Sequence, residues 1–388
     1  MRRALEDVRV LDLTRLLPGG YATLLLADMG ADVVKVEEPG RGDYIRFTPP
    51  IIESVSSAHI ALNRNKRSIT LNLKSEEGRD LLLRLAERFD VLVESFRPGV
   101  MDRMGVGYRA VSDRNERLIY CAITGYGQEG PRAQEAGHDL NYIGYGGVLG
   151  ITGTRDGPPV IPGVQIGDLA AGAMSAAITI LAALHRRDGT GRGEFCDVAM
   201  LDGIVSWLSI HAAAHFATKE IPAPDAMPLN GGYPCYRVYP AADGHVTVAA
   251  LEPQFWSELC DALGRPDLGE DAFAAGERRA HVIAELESIF RTRTRSEWIG
   301  FFAGRDVCVG PVLDFEETFA DEQVQARGVV VADEVPGIGA WPHVATPHAR
   351  GDAVHRPPPA LGEHTREILG ELGIRDAALA ALRTSGAI

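Results

Sequence analysis

The chain has 388 residues, of which 45% are hydrophobic and 24% charged, and a formal net charge of -14. That length accommodates two domains and a large core, and the composition is that of an ordinary soluble protein. The acidic balance argues against nucleic acid or an anionic membrane surface as a partner, while leaving room for a local basic pocket.

Residues 8–13 alternate apolar and polar and predict a first strand. Pro18-Gly19-Gly20 reads as a turn into an apolar helix over 21–29. Gly30 stops that helix, and 31–37 reads as a second strand. Strand, glycine turn, helix and strand form a βαβ unit, without the G-x-G-x-x-G spacing of a nicotinamide dinucleotide site. Arg64-Asn65-Lys66-Arg67 is a basic cluster ahead of a predicted strand over 68–73. A helix over 75–89, a strand over 91–94, the loop Ser95-Phe96-Arg97-Pro98-Gly99 and a strand over 118–124 follow. This alternation predicts an α/β domain with a mostly parallel sheet. Ligands of such sheets bind at the carboxyl ends of strands. Arg64, Lys66, Arg67 and Arg97 all stand near strand ends, so they are candidates to hold phosphate, which arginine pairs bidentately. Otherwise they form a solvated basic face.

The apolar run 169–184 reads as a buried helix, too short and too rich in Ala, Ser and Thr for a membrane span. A strand over 195–199 and an apolar helix over 201–216 come next. Residues 218–230, rich in Pro and Ala, read as a linker and domain boundary. The predicted domains are therefore 1–217 and a smaller α+β domain over 231–318, whose hairpin turns at Ala242-Asp243-Gly244. Residues 337–359 read as loop, and 361–372 as a last helix. The five cysteines make no C-x-x-C pair, which predicts reduced thiols in the cytoplasm and no metal cluster. The first seven residues lead into a strand rather than a signal-peptide core.

Chemistry concentrates in three short stretches. Gly137-His138-Asp139-Leu140-Asn141-Tyr142 closes a polar loop and opens an apolar segment. Gly167-Asp168 follows, with Asp168 30 residues after His138, at the head of the apolar run. Leu251-Glu252-Pro253 ends an alternating strand over 245–251, with Pro253 suited to a first helical turn. A histidine and two carboxylates at element ends could form one acid–base site. The helix N-terminus would favour the carboxylate form of Asp168. The alternative is that Asp168 is only an N-cap, that Glu252 only starts a helix, and that His138 is structural.

Longer motifs run from end to end: Asp12-Leu13-Thr14, Leu26-Ala27-Asp28-Met29-Gly30-Ala31-Asp32, Asn63-Arg64-Asn65-Lys66-Arg67-Ser68, Phe96-Arg97-Pro98-Gly99-Val100, Gly125-Tyr126-Gly127-Gln128-Glu129-Gly130-Pro131 and Gly362-Glu363-His364-Thr365. In these the chain resembles the class III coenzyme A transferases, a family that includes α-methylacyl-CoA racemases. Gly137-His138-Asp139, Gly167-Asp168 and Glu252-Pro253-Gln254-Phe255 resemble the racemase branch. The resemblance implies a racemase interconverting 2-methylacyl-CoA epimers, with His138, oriented by Glu252, and Asp168 on opposite faces of the α-carbon. The Asp168 N–H is the expected donor to the enolate oxygen. The alternatives are a CoA-transferase in which Asp168 carries the acyl group, and a non-catalytic acyl-CoA-binding paralogue.

For coenzyme A, present only as part of the substrate, the resemblance implies contacts from Leu71, Asn72, Leu73, Lys74, Arg97, Gly137, Asp139, Leu140, Asn141 and Tyr142, with no metal or other cofactor. Glu38 departs from the family pattern, where many relatives carry Arg or Pro. Arg41 or Arg46 would have to compensate. The implied fold is a large Rossmann-like domain, completed by 340–388, and a small α+β domain. Two chains would interlock as a homodimer, and Glu252 would come from the partner chain.

Overall fold

Six strands rich in β-branched residues form one parallel sheet: β1 Arg9–Asp12, β2 Asp32–Glu37, β5 Lys66–Thr70, β6 Val91–Glu94, β7 Ile119–Thr124 and β8 Phe195–Ala199. The strands β3 Ile51–Ile52 and β4 Val55–Ser56 make a separate small hairpin. The sheet order is β5-β2-β1-β6-β7-β8. Val10 of β1 sits opposite Val33 on one side and Val91 on the other. The order therefore reverses between β1 and β6, and a doubly wound sheet opens a ligand crevice at the carboxyl ends of such a pair. Both faces of the sheet are covered, which is why its strands are buried runs rather than alternating ones. Leu82, Phe89 and Ile368 pack with one face, and Leu26, Ala176 and Ile180 with the other.

The structure, a computed structural model, describes residues 3–349 and 356–388. It divides into two units. The first comprises 3–146, 163–207 and the described part of 322–388, and holds the parallel sheet. The second comprises 147–162 and 208–321. It is built on the antiparallel strands β9 Tyr236–Ala241, β10 Gly244–Ala249 and β11 Val309–Pro311, with the helices Pro253–Ala262, Gly276–Phe290 and Arg295–Phe301. Tyr239, Trp256, Leu286 and Phe290 fill its core. The linker expected over 218–230 falls inside this second unit, which also takes in the earlier segment 147–162.

Several local expectations change. Pro18, Gly19 and Gly20 lie inside the first helix, Leu16–Asp28, rather than in a turn before it. Proline is tolerated in a first helical turn, where N–H groups have no helical acceptor. Gly19 is needed because a Cβ there would lie 2.1 Å from the Thr14 Cβ. Residues 337–359 are not all loop, since β12 Val330–Val335 pairs with β13 Gly339–Val344; residues 350–355 lie outside the described ones. The apolar run 169–184 belongs to one continuous helix, Gly167–Thr190, of 24 residues, whose most apolar window of 18 residues has a mean hydropathy of 1.6. By length and composition alone that helix could cross a membrane; half of its most apolar window is buried inside the protein.

Lys66 and Arg67 stand within β5, not before it, and they are not phosphate ligands. Lys66 Nζ donates to Asp12 Oδ2 at 3.1 Å, Gly20 O at 3.0 Å and Thr23 Oγ1 at 2.8 Å. Arg67 pairs with Asp32, Glu367 and Glu371, and Arg64 with Asp28 at 2.6 Å. All three are buried. The β5 end that carries them is its amino end, away from the ligand edge. Arg67 thereby binds the helix Thr365–Glu371 to the sheet, and a further helix, Asp376–Thr384, follows the one expected to be last.

Candidate active site

Two cavities of the first unit open at the carboxyl edge of the sheet. The first, about 290 Å³, follows the ends of β1, β2 and β5 and is lined by Glu38, Arg41, Tyr44, Leu71, Asn72, Leu73 and Lys74. The second, about 330 Å³, follows the ends of β1, β6 and β7 and is lined by Arg97, Tyr126, Gly137, His138, Tyr142 and Asp168. Arg15 and Phe96 line both. They come from the two loops that flank the switch point, and the Arg15 N–H donates to Ser95 Oγ across it at 3.1 Å.

The loop after β1 is held rigidly. Asp12 Oδ1 accepts the Thr14 N–H at 3.0 Å, and Asp43 Oδ1 accepts the Leu16 N–H at 3.1 Å. Leu16 takes a left-handed conformation with φ of 61°, strained for a residue with a branched side chain. Lys35 sits between the two carboxylates, 2.9 Å from Asp43 Oδ2, and donates to Thr14 O at 3.1 Å. Asp12 is fully buried, yet Lys35, Lys66 and two threonine hydroxyls outweigh desolvation and hold its carboxyl down at about 2.

Asp168 enters from a helix that opens with π-helical turns over Gly167–Met174, a local widening frequent at functional sites. Its backbone N–H donates to Asp139 Oδ1 at 3.0 Å. This overturns the expectation that the same N–H meets an enolate oxygen, because the donor is already engaged. Gly167 makes the contact possible: a Cβ there would lie 2.9 Å from Asp139 Oδ1. The helix N-terminus also fails to hold the carboxyl low. Burial, and then the charge of Asp139, push Asp168 from 3.8 up to about 7. The site therefore contains a carboxyl that exchanges its proton near neutral pH, the range suited to acid–base work.

His138 is exposed and precedes the helix Asp139–Tyr145; its N–H donates to Asn141 Oδ1 at 3.1 Å. Tyr142 is fixed by its hydroxyl donating to Gly137 O at 2.5 Å and by the Tyr126 ring, 5.1 Å away edge to face. Asp139, Leu140 and Asn141 line neither cavity: Asp139 turns inward to Asp168, Leu140 is exposed, and Asn141 caps the helix. Glu252 belongs to the second unit, exposed at the start of the helix Pro253–Ala262.

Glu38 donates nothing to an anion; its carboxylate accepts Lys74 Nζ at 2.8 Å, and that bond, with the lysine charge, lowers its carboxyl. Arg46 is no substitute, being held bidentately by Glu37 at 2.7 and 2.6 Å. Arg41 does line the first cavity. The residues of the site that sequence reasoning missed are Arg15 and Phe96. Both lie in quoted motifs or beside them, but only the sheet order shows that the two cavities share them.

The family model for CoA-transferase family III matches residues 5–365. The human succinyl-CoA:glutarate CoA-transferase is 37% identical over 396 residues, covering 100% of this chain and 90% of that protein. The succinyl-CoA:mesaconate CoA-transferase of Haloarcula marismortui is 38% identical, covering 96% and 97%. The human α-methylacyl-CoA racemase is 35% identical, covering 95% and 94%. Among solved structures, a CAIB/BAIF family protein from Brucella suis superimposes with a TM-score of 0.83 at 33% identity, covering 96% of this chain and 100% of that one. The chain belongs to CoA-transferase family III.

Proposed function

We propose that the protein is a CoA-transferase that moves CoA from an acyl-CoA to a carboxylic acid through an acyl group carried on Asp168. The observation that carries this is the Asp168 carboxyl in a cavity that adjoins a second one across Arg15 and Phe96. A CoA thioester spanning both places its nucleotide by Leu71–Lys74 and Arg41 and its carbonyl by Asp168. Most relatives with a named activity are CoA-transferases, which favours transfer over the racemase reading.

Ionised Asp168 attacks the thioester carbonyl carbon; the C–S bond breaks and CoA leaves as the thiolate. The acyl group now forms a mixed anhydride with Asp168. Attack of the thiolate on the aspartyl carbonyl releases the first acid and leaves Asp168 joined to CoA. The acceptor carboxylate enters by the same two steps in reverse, so no oxidant or metal is required. Arg97 is exposed at the second cavity and makes no ion pair among the described residues. With Arg15 it suits a second carboxylate, so the acids are dicarboxylates, as succinate and glutarate are for the human relative.

A racemase remains the second reading, because His138 and Asp168, two groups able to exchange a proton, line the same cavity. There Glu252 of a second copy of the chain would assist His138. Supply of succinyl-CoA with a panel of dicarboxylic acids decides between them: CoA transfer supports the first. Loss of the α-proton of a single-enantiomer 2-methylacyl-CoA in D2O, with no acid present and no transfer when one is added, supports the second.

A homodimer belongs to the same proposal. Met174, Ile178, Val205 and Trp207 of the first unit are exposed, as are Ile210, Phe216 and Ile221 of the second, and apolar surface of this kind marks an interface. A cytoplasmic setting is supported by five cysteines that stand outside any disulfide.

A further inference from the structure

The segment that joins β7 to the helix Asp139–Tyr145 walls the second cavity on its solvent side. Ala133, Glu135 and Ala136 line the cavity, and Gln134, Glu135 and Ala136 are exposed. The chain turns at Gly127 and Gly130, with φ of 89° and 90°, where a side chain would be strained. Two ties then hold the segment. Toward the helix, Arg132 donates to the Tyr145 hydroxyl at 2.9 Å and to the Glu135 carboxylate at 2.8 and 3.0 Å, with its guanidinium 4.0 Å from the Tyr145 ring. On the other side, Gln134 Nε2 donates to Pro98 O at 3.1 Å. Pro98 belongs to the loop after β6 and lines the same cavity, so this bond runs from one wall to another. Among the described residues it is the one hydrogen bond that joins the segment to that loop. The two ties are unequal. Hydrogen bonds to charged groups are roughly twice as strong as neutral ones, so the Arg132 end holds and the Gln134 end is the one that opens.

We propose that residues 131–136 form a strap that keeps water from the acyl group on Asp168, and that Gln134 is the positioning residue that closes it on Pro98. This rests on the reading that Asp168 carries the acyl group. An anhydride is open to water as well as to a thiolate. Water adds to the acyl carbonyl carbon, the C–O bond to Asp168 breaks, and the free acid leaves with Asp168 restored as a carboxylate. Of the two protons released, one goes to the CoA thiolate and the other to solvent. The thioester is then spent without transfer. Excluding water is what reserves the intermediate for a carboxylic acid. The strap therefore sets the choice of acceptor, while the first attack by Asp168 does not depend on it.

The test is the succinate formed from succinyl-CoA with no acid acceptor added, beyond one equivalent of protein, measured by chromatography. Loss of one neutral hydrogen bond shifts an open–closed balance by about five-fold. Gln134→Ala should therefore hydrolyse succinyl-CoA about five-fold faster than the wild type. A merely damaged site would lose hydrolysis and transfer together, so a gain reads the opened wall. Gln134→Glu, equal in size but without a donor, should show the same gain; a wild-type rate there would assign the effect to bulk and overturn the role of the hydrogen bond. The gain should vanish when Asp168→Ala is added, and hydrolysis that persists without Asp168 would overturn the proposal, as would a Gln134→Ala no faster than the wild type. A wild type that transfers no CoA from succinyl-CoA to any dicarboxylic acid would instead overturn the reading of Asp168 as acyl carrier.

Discussion

Replacement of Asp139 by Asn separates the two things its carboxylate does to Asp168. The amide keeps an oxygen acceptor for the Asp168 N–H at 3.0 Å, and it removes the negative charge. The Asp168 carboxyl rises from 3.8 to about 7, burial being the larger cause and Asp139 the second. Asp139 therefore supplies less than half of that rise, and its neutralisation should move the group down by about one pH unit, roughly 1.4 kcal/mol. The acid limb of kcat/KM, which reports the free enzyme, should shift down by the same amount. At pH 5 the ionised fraction then grows by about ten-fold, and the variant should outperform the wild type relative to their rates at pH 8. Initial rates of CoA transfer from succinyl-CoA, taken from pH 5 to 8.5, measure this. An acid limb at the same pH in both proteins would refute the coupling between the two carboxyls. Asp139→Ala adds the loss of the acceptor, and a buried N–H without a partner costs about 1–3 kcal/mol, so this variant should also lose stability.

Other expectations follow from the same geometry. Asp168→Ala should lower transfer by at least about 100-fold, the scale of a lost acid–base group or more, with acetyl-CoA binding retained. Asp12→Ala leaves Lys66 buried without its carboxylate, while Lys35 keeps Asp43; loss of one partner of a buried pair costs about 3–5 kcal/mol, readable in urea denaturation. Because the Asp12 carboxyl is held at about 2, its contribution is present above pH 3.8 and is lost as pH falls through 2. Glu94 works in the other direction. Burial raises its carboxyl from 4.5 to about 8, so its contribution is fully present below pH 4.5 and lost as pH rises through 8. By pH 7 the loss is about 3 kcal/mol. Glu94→Gln should raise the denaturation midpoint at pH 7 and leave it nearly unchanged at pH 4; a variant no more stable at either pH would contradict the burial argument.

The parallel sheet was legible because its strands alternate with helices along the chain, and residues 91–94 and 195–199 were read with the bounds that the structure has. Basic residues near strand ends were not so readily interpreted. Arg64, Lys66 and Arg67 look like a phosphate cluster until their long-range partners, Asp28, Asp12 and Asp32, are known. The segment 147–162 carries no sign that it folds with 208–321, since the association is made in space rather than along the chain. The Gly167-Asp168 pair marked a site, but the inward turn of Asp139 did not show. It depends on a Cβ-free position 28 residues away from it. Glu94 gave no signal at all, because a glutamate at a strand end is ordinarily solvated.

Covalent capture of Asp168 tests the central claim most directly. The protein is mixed with succinyl-CoA, treated with hydroxylamine and digested, and the peptide that holds Asp168 is weighed by mass spectrometry. The account predicts a hydroxamate on Asp168 that depends on succinyl-CoA and disappears in Asp168→Ala. An unmodified Asp168, in a protein that exchanges the α-proton of a 2-methylacyl-CoA with solvent and transfers no CoA, would contradict it.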